Sequence, residues 1–125
     1  MKSKKTGLAR IIAAGGYSMA GLKSAWRTEA AFRQEFIVYL LLLPAIILPP
    51  FAPDVKMLLF LANSLVLMVE LANSAIEAIC DMVSPEFHPL AKKAKDIGSA
   101  AVFIALSTAL ALWIFAVSGL VPPMR

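Results

Sequence analysis

Three long apolar runs dominate the chain, each bounded by charges or prolines, and a shorter amphipathic stretch precedes them. In residues 7–28, Leu8, Ile11, Ile12, Met19, Leu22 and Trp26 recur at three- and four-residue spacing, while Arg10, Tyr17 and Arg27 fall away from that stripe. The pattern predicts an amphipathic helix lying in a membrane interface, with Trp26 at headgroup level. Gly15, Gly16 and Gly21 weaken it as an isolated helix; they serve either a bend or close approach, or simply a packed contact. Residues 29–35, Glu-Ala-Ala-Phe-Arg-Gln-Glu, form a charged bridge into the first run. Two readings of the bridge stay open: Glu29, Arg33 and Glu35 make ion pairs and headgroup contacts, or an acidic side chain there reaches the second span.

Residues 36–53 carry no charge, and the segment of about 30–48 is long enough to cross a bilayer at about 1.5 Å per residue. Pro44 predicts a tolerated kink, and Pro49, Pro50 and Pro53 end the helix, so a short connection forces an antiparallel return. A second span follows at about 55–81, its first half plain apolar material. Pro85 and Pro89 predict a loop or broken helix end over about 82–91. The last span, about 95–121, includes 25 consecutive uncharged residues from Ile97 to Val121 and opens on the small residues Gly98, Ser99, Ala100 and Ala101. The expected fold is an all-α membrane protein: an amino-terminal surface helix plus three transmembrane helices.

Composition agrees with that reading. Of 125 residues 60% are hydrophobic and 16% charged, against about a quarter charged in soluble domains. The net charge of +4 lies beside apolar segments, which favours anionic lipid headgroups over nucleic acid as the partner. Cys80 stands alone, excluding an intrachain disulfide, and with His88 the only histidine a Cys/His zinc site is excluded as well. The basic start is not followed by the apolar core of a signal peptide, so no cleavage is expected. Seven basic residues (Lys2, Lys4, Lys5, Arg10, Lys23, Arg27, Arg33) precede or open the first span and three (Lys92, Lys93, Lys95) follow the second; Lys56 and Arg125 lie opposite. Positive-inside bias puts the amino terminus in the cytoplasm and the carboxyl terminus outside.

Candidate chemistry sits where the second run meets its charges. Glu70, Asn73, Glu77 and Asp81 are offset by three, seven and eleven residues, close to whole helical turns, and form one acidic stripe. Carboxylates at membrane depth are costly unless they face protein, water or a cation. With Lys95 and Asp96 nearby they supply parts for phosphoryl transfer: hard oxygen ligands for magnesium, Lys95 and Arg10 to balance phosphate charge, and a spare carboxylate to take an alcohol proton. No glycine-rich phosphate loop or dinucleotide fingerprint is present. A proton or cation relay and a purely structural polar stripe remain alternatives. The interfacial enzyme is favoured because the acids gather toward the cytoplasmic side, with no comparable polar groups expected beyond them. His88 reads as an exposed or hydrogen-bonded histidine more than a ligand. Three short spans enclose little space, which makes a homo-oligomer with sites between subunits plausible for an enzyme.

Glu70-x-x-Asn73-Ser74-Ala75-Ile76-Glu77-x-x-x-Asp81, followed by His88 and by Ala94-Lys95-Asp96-Ile97-Gly98-Ser99-Ala100-Ala101-Val102, resembles the small bacterial diacylglycerol kinase family. Arg10-Ile11-Ile12, Gly16-Tyr17-Ser18, Gly21-Leu22 and Ala30-Ala31-Phe32-Arg33-Gln34-Glu35 extend the likeness over nearly the whole chain. The resemblance implies a homotrimeric helical bundle in the bacterial inner membrane, with active sites shared between neighbouring subunits at the cytoplasmic interface. It implies transfer of the terminal phosphate of MgATP to the primary hydroxyl of diacylglycerol, giving phosphatidic acid among membrane phospholipids. Carried over, Glu70 is the catalytic base and Glu29 with Glu77 hold the metal. Lys95 contacts the phosphates, and Arg10, Gly15, Tyr17, Asn73 and Asp96 line the nucleotide and substrate site. The chain departs from the family pattern at Ala13 and Met19, positions of a lysine and a tryptophan there. A sister branch with the same motifs phosphorylates undecaprenol; the stretches around Phe32 and Gly98 look more like the diacylglycerol branch.

Overall fold

The computed structural model describes residues 6–120, so Lys2, Lys4, Lys5 and the tail from Val121 lie outside the described residues. Four helices follow in order: α1 (Gly7–Thr28), α2 (Ala30–Ile47), α3 (Pro53–Val83) and α4 (Pro89–Leu120). Three of them, α2, α3 and α4, are long and apolar enough to cross a membrane. Leu8, Ile11, Ile12 and Met19 on α1 stay exposed within the chain, and Ala25 is its one buried residue. Such a face needs an apolar surrounding, as an interfacial helix has.

α3 is the central element, packing most extensively on α4, then on α2, while α1 touches α2 lightly. Its inward stripe, Leu59, Ala62, Asn63, Val66, Glu70 and Asn73, follows the three- and four-residue spacing of one helix face. From Pro53, Glu70 lies about 26 Å along the helix at 1.5 Å per residue. A hydrocarbon core is about 30 Å thick, so an upright crossing counted from Pro53 would end just past Glu70 and before Glu77 and Asp81.

The α1–α2 corner is one residue long. Glu29 adopts an extended conformation (φ −114°, ψ 105°) between the helices, and its N–H still closes the last turn of α1 on Ala25 O at 2.9 Å. Helix ends leave carbonyls without partners. Here the Arg33 guanidinium, one turn into α2, donates to Trp26 O (2.8 Å) and Arg27 O (3.2 Å). Trp26 also meets Phe36 edge-on, with ring centroids 5.9 Å apart.

At the α2–α3 turn, Pro49 and Pro50 have no N–H to offer the end of α2. Lys56 supplies one instead, its ammonium 2.7 Å from Ile47 O, where a cation also complements the helix dipole. Pro53 opens α3 in the first turn, where its missing N–H costs nothing. Ile46, Phe51, Leu59 and Ala116 bury one another there, with Val55, Leu112 and Trp113 packed around them.

The third spanning helix begins at Pro89 rather than near residue 95, and the connection before it is shorter than the expected 82–91. The apolar pattern missed this turn because it is polar. Pro89 suits a first-turn position, His88 Nδ1 accepts the Leu90 N–H (3.1 Å), and Lys92 pairs with Asp96 one turn on (2.6 Å).

Candidate active site

Four glutamates from three places converge at one end of α3. Glu70 is buried, Glu35 and Glu77 are half-buried, and Glu29 is half-buried in the corner between α1 and α2. Glu29, Glu35 and Glu77 all lie close enough to Glu70 for their charges to bear on it. Among the described residues no lysine or arginine forms an ion pair with any of the four; the ion pairs are Lys92–Asp96 and Lys95–Asp81, each 2.6 Å. The ion pairs of the first reading of the bridge therefore do not form among the described residues. Arg33 is occupied with backbone carbonyls, and Glu29 lines a cleft shared with Leu71 and Ser74 of α3.

Carboxylates free of ion pairs have the donor chemistry of hard divalent-ion ligands. No three His, Cys, Asp or Glu side chains among the described residues gather closely enough to hold a metal. Magnesium fits nevertheless, since one or two protein carboxylates with substrate phosphates and water complete its shell.

Asn73 is buried one turn beyond Glu70, and its Nδ2 donates to Glu77 Oε1 at 3.3 Å. Its Oδ1 faces Gly98 of α4 and has no donor; Glu35 Oε2 and Ser74 Oγ are likewise buried without partners. Lys95 and Asp96, adjacent in sequence, point to different partners. Lys95 Nζ binds Asp81 Oδ1, linking α4 to the end of α3, and Asp96 takes Lys92. His88 caps α4.

Two clefts flank the acids. One, of about 620 Å³ between α1 and α3, sets Glu29 and the hydroxyl residues Ser24, Thr28 and Ser74 against Leu22 and Leu71. The other, of about 410 Å³ at the α3–α4 connection, is lined by charge, including Asp81, His88, Lys92 and Lys95. Arg10, Gly15 and Tyr17 join neither cleft within one chain; all three are exposed, and nothing lies within 4 Å of where a side chain at Gly15 would be.

Polar groups missed from the sequence continue the stripe inward. Asn63, seven residues before Glu70 and thus on the same face, donates to Tyr39 O (3.4 Å), and the Tyr39 hydroxyl meets Ser64 Oγ at 3.3 Å. The same helical spacing that exposed the acidic stripe points to Asn63. The expectation of plain apolar material before Glu70 is corrected to that extent.

A sequence profile for prokaryotic diacylglycerol kinase matches residues 16–117. A diacylglycerol kinase of Pseudomonas aeruginosa is 49% identical over 109 residues, covering 87% of this chain and 89% of its own length. That of Escherichia coli K12 is 45% identical over 113 residues, covering 90% and 93%, and one of Helicobacter pylori 46% over 112, covering 88% and 86%. With most of its length matched, this chain belongs to the prokaryotic diacylglycerol kinase family.

Proposed function

We propose that the chain is a membrane-embedded kinase that phosphorylates diacylglycerol with ATP, its work done at the end of α3 where Glu29, Glu35, Glu70 and Glu77 converge. That convergence, with none of the four in an ion pair among the described residues, is the observation carrying the reading. It joins the kinase activity named for the relatives to a specific place in this fold.

In the reaction the primary hydroxyl oxygen of diacylglycerol bonds to the terminal phosphorus of ATP, the bond to the bridging oxygen breaks, and ADP leaves with phosphatidic acid as product. Glu70 takes the hydroxyl proton; its burial near the hydrocarbon edge suits a lipid headgroup approaching from the membrane. Glu29 and Glu77 would hold Mg²⁺, which when bound neutralises charge on the ATP phosphates. Asn73 fixes the Glu77 carboxylate. Lys95, which lines the charged cleft, would exchange Asp81 for a phosphate, with Asp96 beside it on the same helix. The cleft walled by Leu22 and Leu71 suits the glycerolipid, the charged one the nucleotide.

The free positions of Arg10, Gly15 and Tyr17 fit a homotrimer in which α1 serves a neighbouring subunit's site. The basic residues favour a multi-pass inner-membrane placement with the acidic end facing the cytoplasm, where ATP is available.

Purified protein in mixed micelles, offered diacylglycerol and undecaprenol separately with ATP, tests the reading. Transfer to diacylglycerol that disappears in Glu70→Ala is expected. Preference for undecaprenol would move the substrate to the sister branch, and no transfer to either lipid by folded protein would overturn the kinase reading. Glu77→Ala is expected to raise the half-saturating Mg²⁺ by more than about tenfold, the loss that even outer partners of a metal site cost. Titration curves overlaying those of the unmutated protein would remove Glu77 as a ligand.

A further inference from the structure

Gly98 lies in the interior of α4, buried against α3. Glycine in a helix interior is unfavourable relative to alanine, so its presence there calls for a local reason. At the other described glycines, Gly7, Gly15, Gly16, Gly21 and Gly119, an added Cβ would meet nothing within 4 Å. At Gly98 the same atom would collide with Asn73 Oδ1.

That contact bears on chemistry through the shape of the carboxamide. The amide is planar, with oxygen and nitrogen on opposite arms of one carbon, so the place of one arm sets the direction of the other. With Oδ1 lodged against the bare backbone at Gly98, Nδ2 reaches one turn along α3 to Glu77 Oε1. Asn73 is otherwise enclosed, 7% exposed, and Oδ1 meets no hydrogen-bond donor, so a group added at position 98 leaves it no hydrogen bond to fall back on.

We infer that Gly98 is a positioning residue: its missing side chain makes the space in which Asn73 turns its amide to Glu77 and aims that carboxylate. The inference rests on Glu77 acting as a metal ligand. Gly98 itself touches neither substrate nor metal; it acts from the neighbouring helix through one intermediary.

Gly98→Ala tests this against Gly119→Ala, a substitution in the same helix where the space is open. Gly98→Ala is expected to raise the half-saturating Mg²⁺ by about 10–100-fold, the range for losing an outer partner of a metal site, and to leave the KM for diacylglycerol unchanged. Gly119→Ala should leave both unchanged. Metal-free unfolding in micelles gives a readout independent of activity. Gly98→Ala should lower the unfolding midpoint, whereas on an Asn73→Ala background the same change should raise it, because alanine then gains its helix preference without the collision. Should Gly98→Ala alone fail to fold, recovery of folding in the double variant carries the test.

An unchanged Mg²⁺ dependence in Gly98→Ala, with Glu77→Ala strongly shifted, would overturn Gly98 while leaving the metal reading standing. Unchanged curves in both would overturn both. A midpoint lowered equally with and without Asn73, or a double variant that still fails to fold, would show that the obstacle is not Asn73 and would overturn the route.

Discussion

The two ends of the α2–α3 pair are built on opposite terms. At the turn end, Ile46, Phe51, Leu59 and Ala116 bury one another, Phe51 meets Trp113 edge-on at 6.3 Å, and the Lys56 ammonium covers the carbonyl that closes α2. One buried polar atom there, Trp113 Nε1, lacks a partner. At the acidic end three do, Glu35 Oε2, Asn73 Oδ1 and Ser74 Oγ, and none of the four glutamates there forms an ion pair among the described residues. Each unmet buried group costs about 1–3 kcal/mol. The difference fits the proposed function: the packed turn holds the helices together, while the unsatisfied groups would serve a metal, a phosphate and an alcohol.

The largest effect that can test this division is at Glu70. Glu70→Gln keeps the shape but removes the proton acceptor, so transfer should fall about 10²–10⁴-fold, equivalent to about 3–5 kcal/mol. ATP binding should persist, and the unfolding midpoint should hold or rise as like charge is withdrawn from the cluster. Steady-state kinetics beside a nucleotide-binding titration reads both, and an equal loss of binding and turnover would take the base role from Glu70.

Leu59→Ala probes the other end. Leu59 is 1% exposed, and emptying such a site costs about 2–5 kcal/mol. Transfer per folded molecule should be unaffected. A fall in specific activity at full folding would show that the two ends are coupled through α3.

A sharper comparison uses two cations doing the same local job. Arg33 and Lys56 each donate to carbonyls at the end of a helix, but Arg33 holds the corner bearing Glu29, whereas Lys56 holds only the turn. Both Arg33→Met and Lys56→Met should lower stability by about 1–3 kcal/mol, with the arginine toward the upper end because it makes two bonds. Only Arg33→Met should also raise the half-saturating Mg²⁺, by freeing Glu29. Equal kinetic behaviour of the two would detach the corner from the site.

These particulars mark what periodicity can and cannot reveal. The three apolar runs, the surface helix and the acidic stripe are readable from spacing alone, since each depends on one helix at a time. The pairing of Arg33 with carbonyls, the fit of Asn73 Oδ1 against Gly98 and the separate partners of Lys95 and Asp96 depend on how one helix or turn registers against another. A charged bridge looks the same in sequence whether its arginine faces a glutamate or a backbone oxygen. The early start of α4 went unread for a related reason: its first turn is held by a histidine cap and an ion pair rather than by an apolar face.

The smallest predicted effect decides where the boundary between the ends falls. Tyr39 lies one turn deeper than Glu35 on α2, and its hydroxyl meets Ser64, beside Asn63 of the inward stripe. Hydrogen bonds between membrane helices contribute on average only about 0.6 kcal/mol, because the unfolded helices in lipid also find partners. Tyr39→Phe removes that bond and leaves the bond from Asn63 intact, since it ends on the Tyr39 backbone. If the cluster is glue belonging to the packed end, stability should fall by about that amount and transfer should not change. A loss of transfer well beyond the stability change would instead carry the chemical end a full turn further into the membrane, and Glu35 would then be the middle of the site rather than its floor.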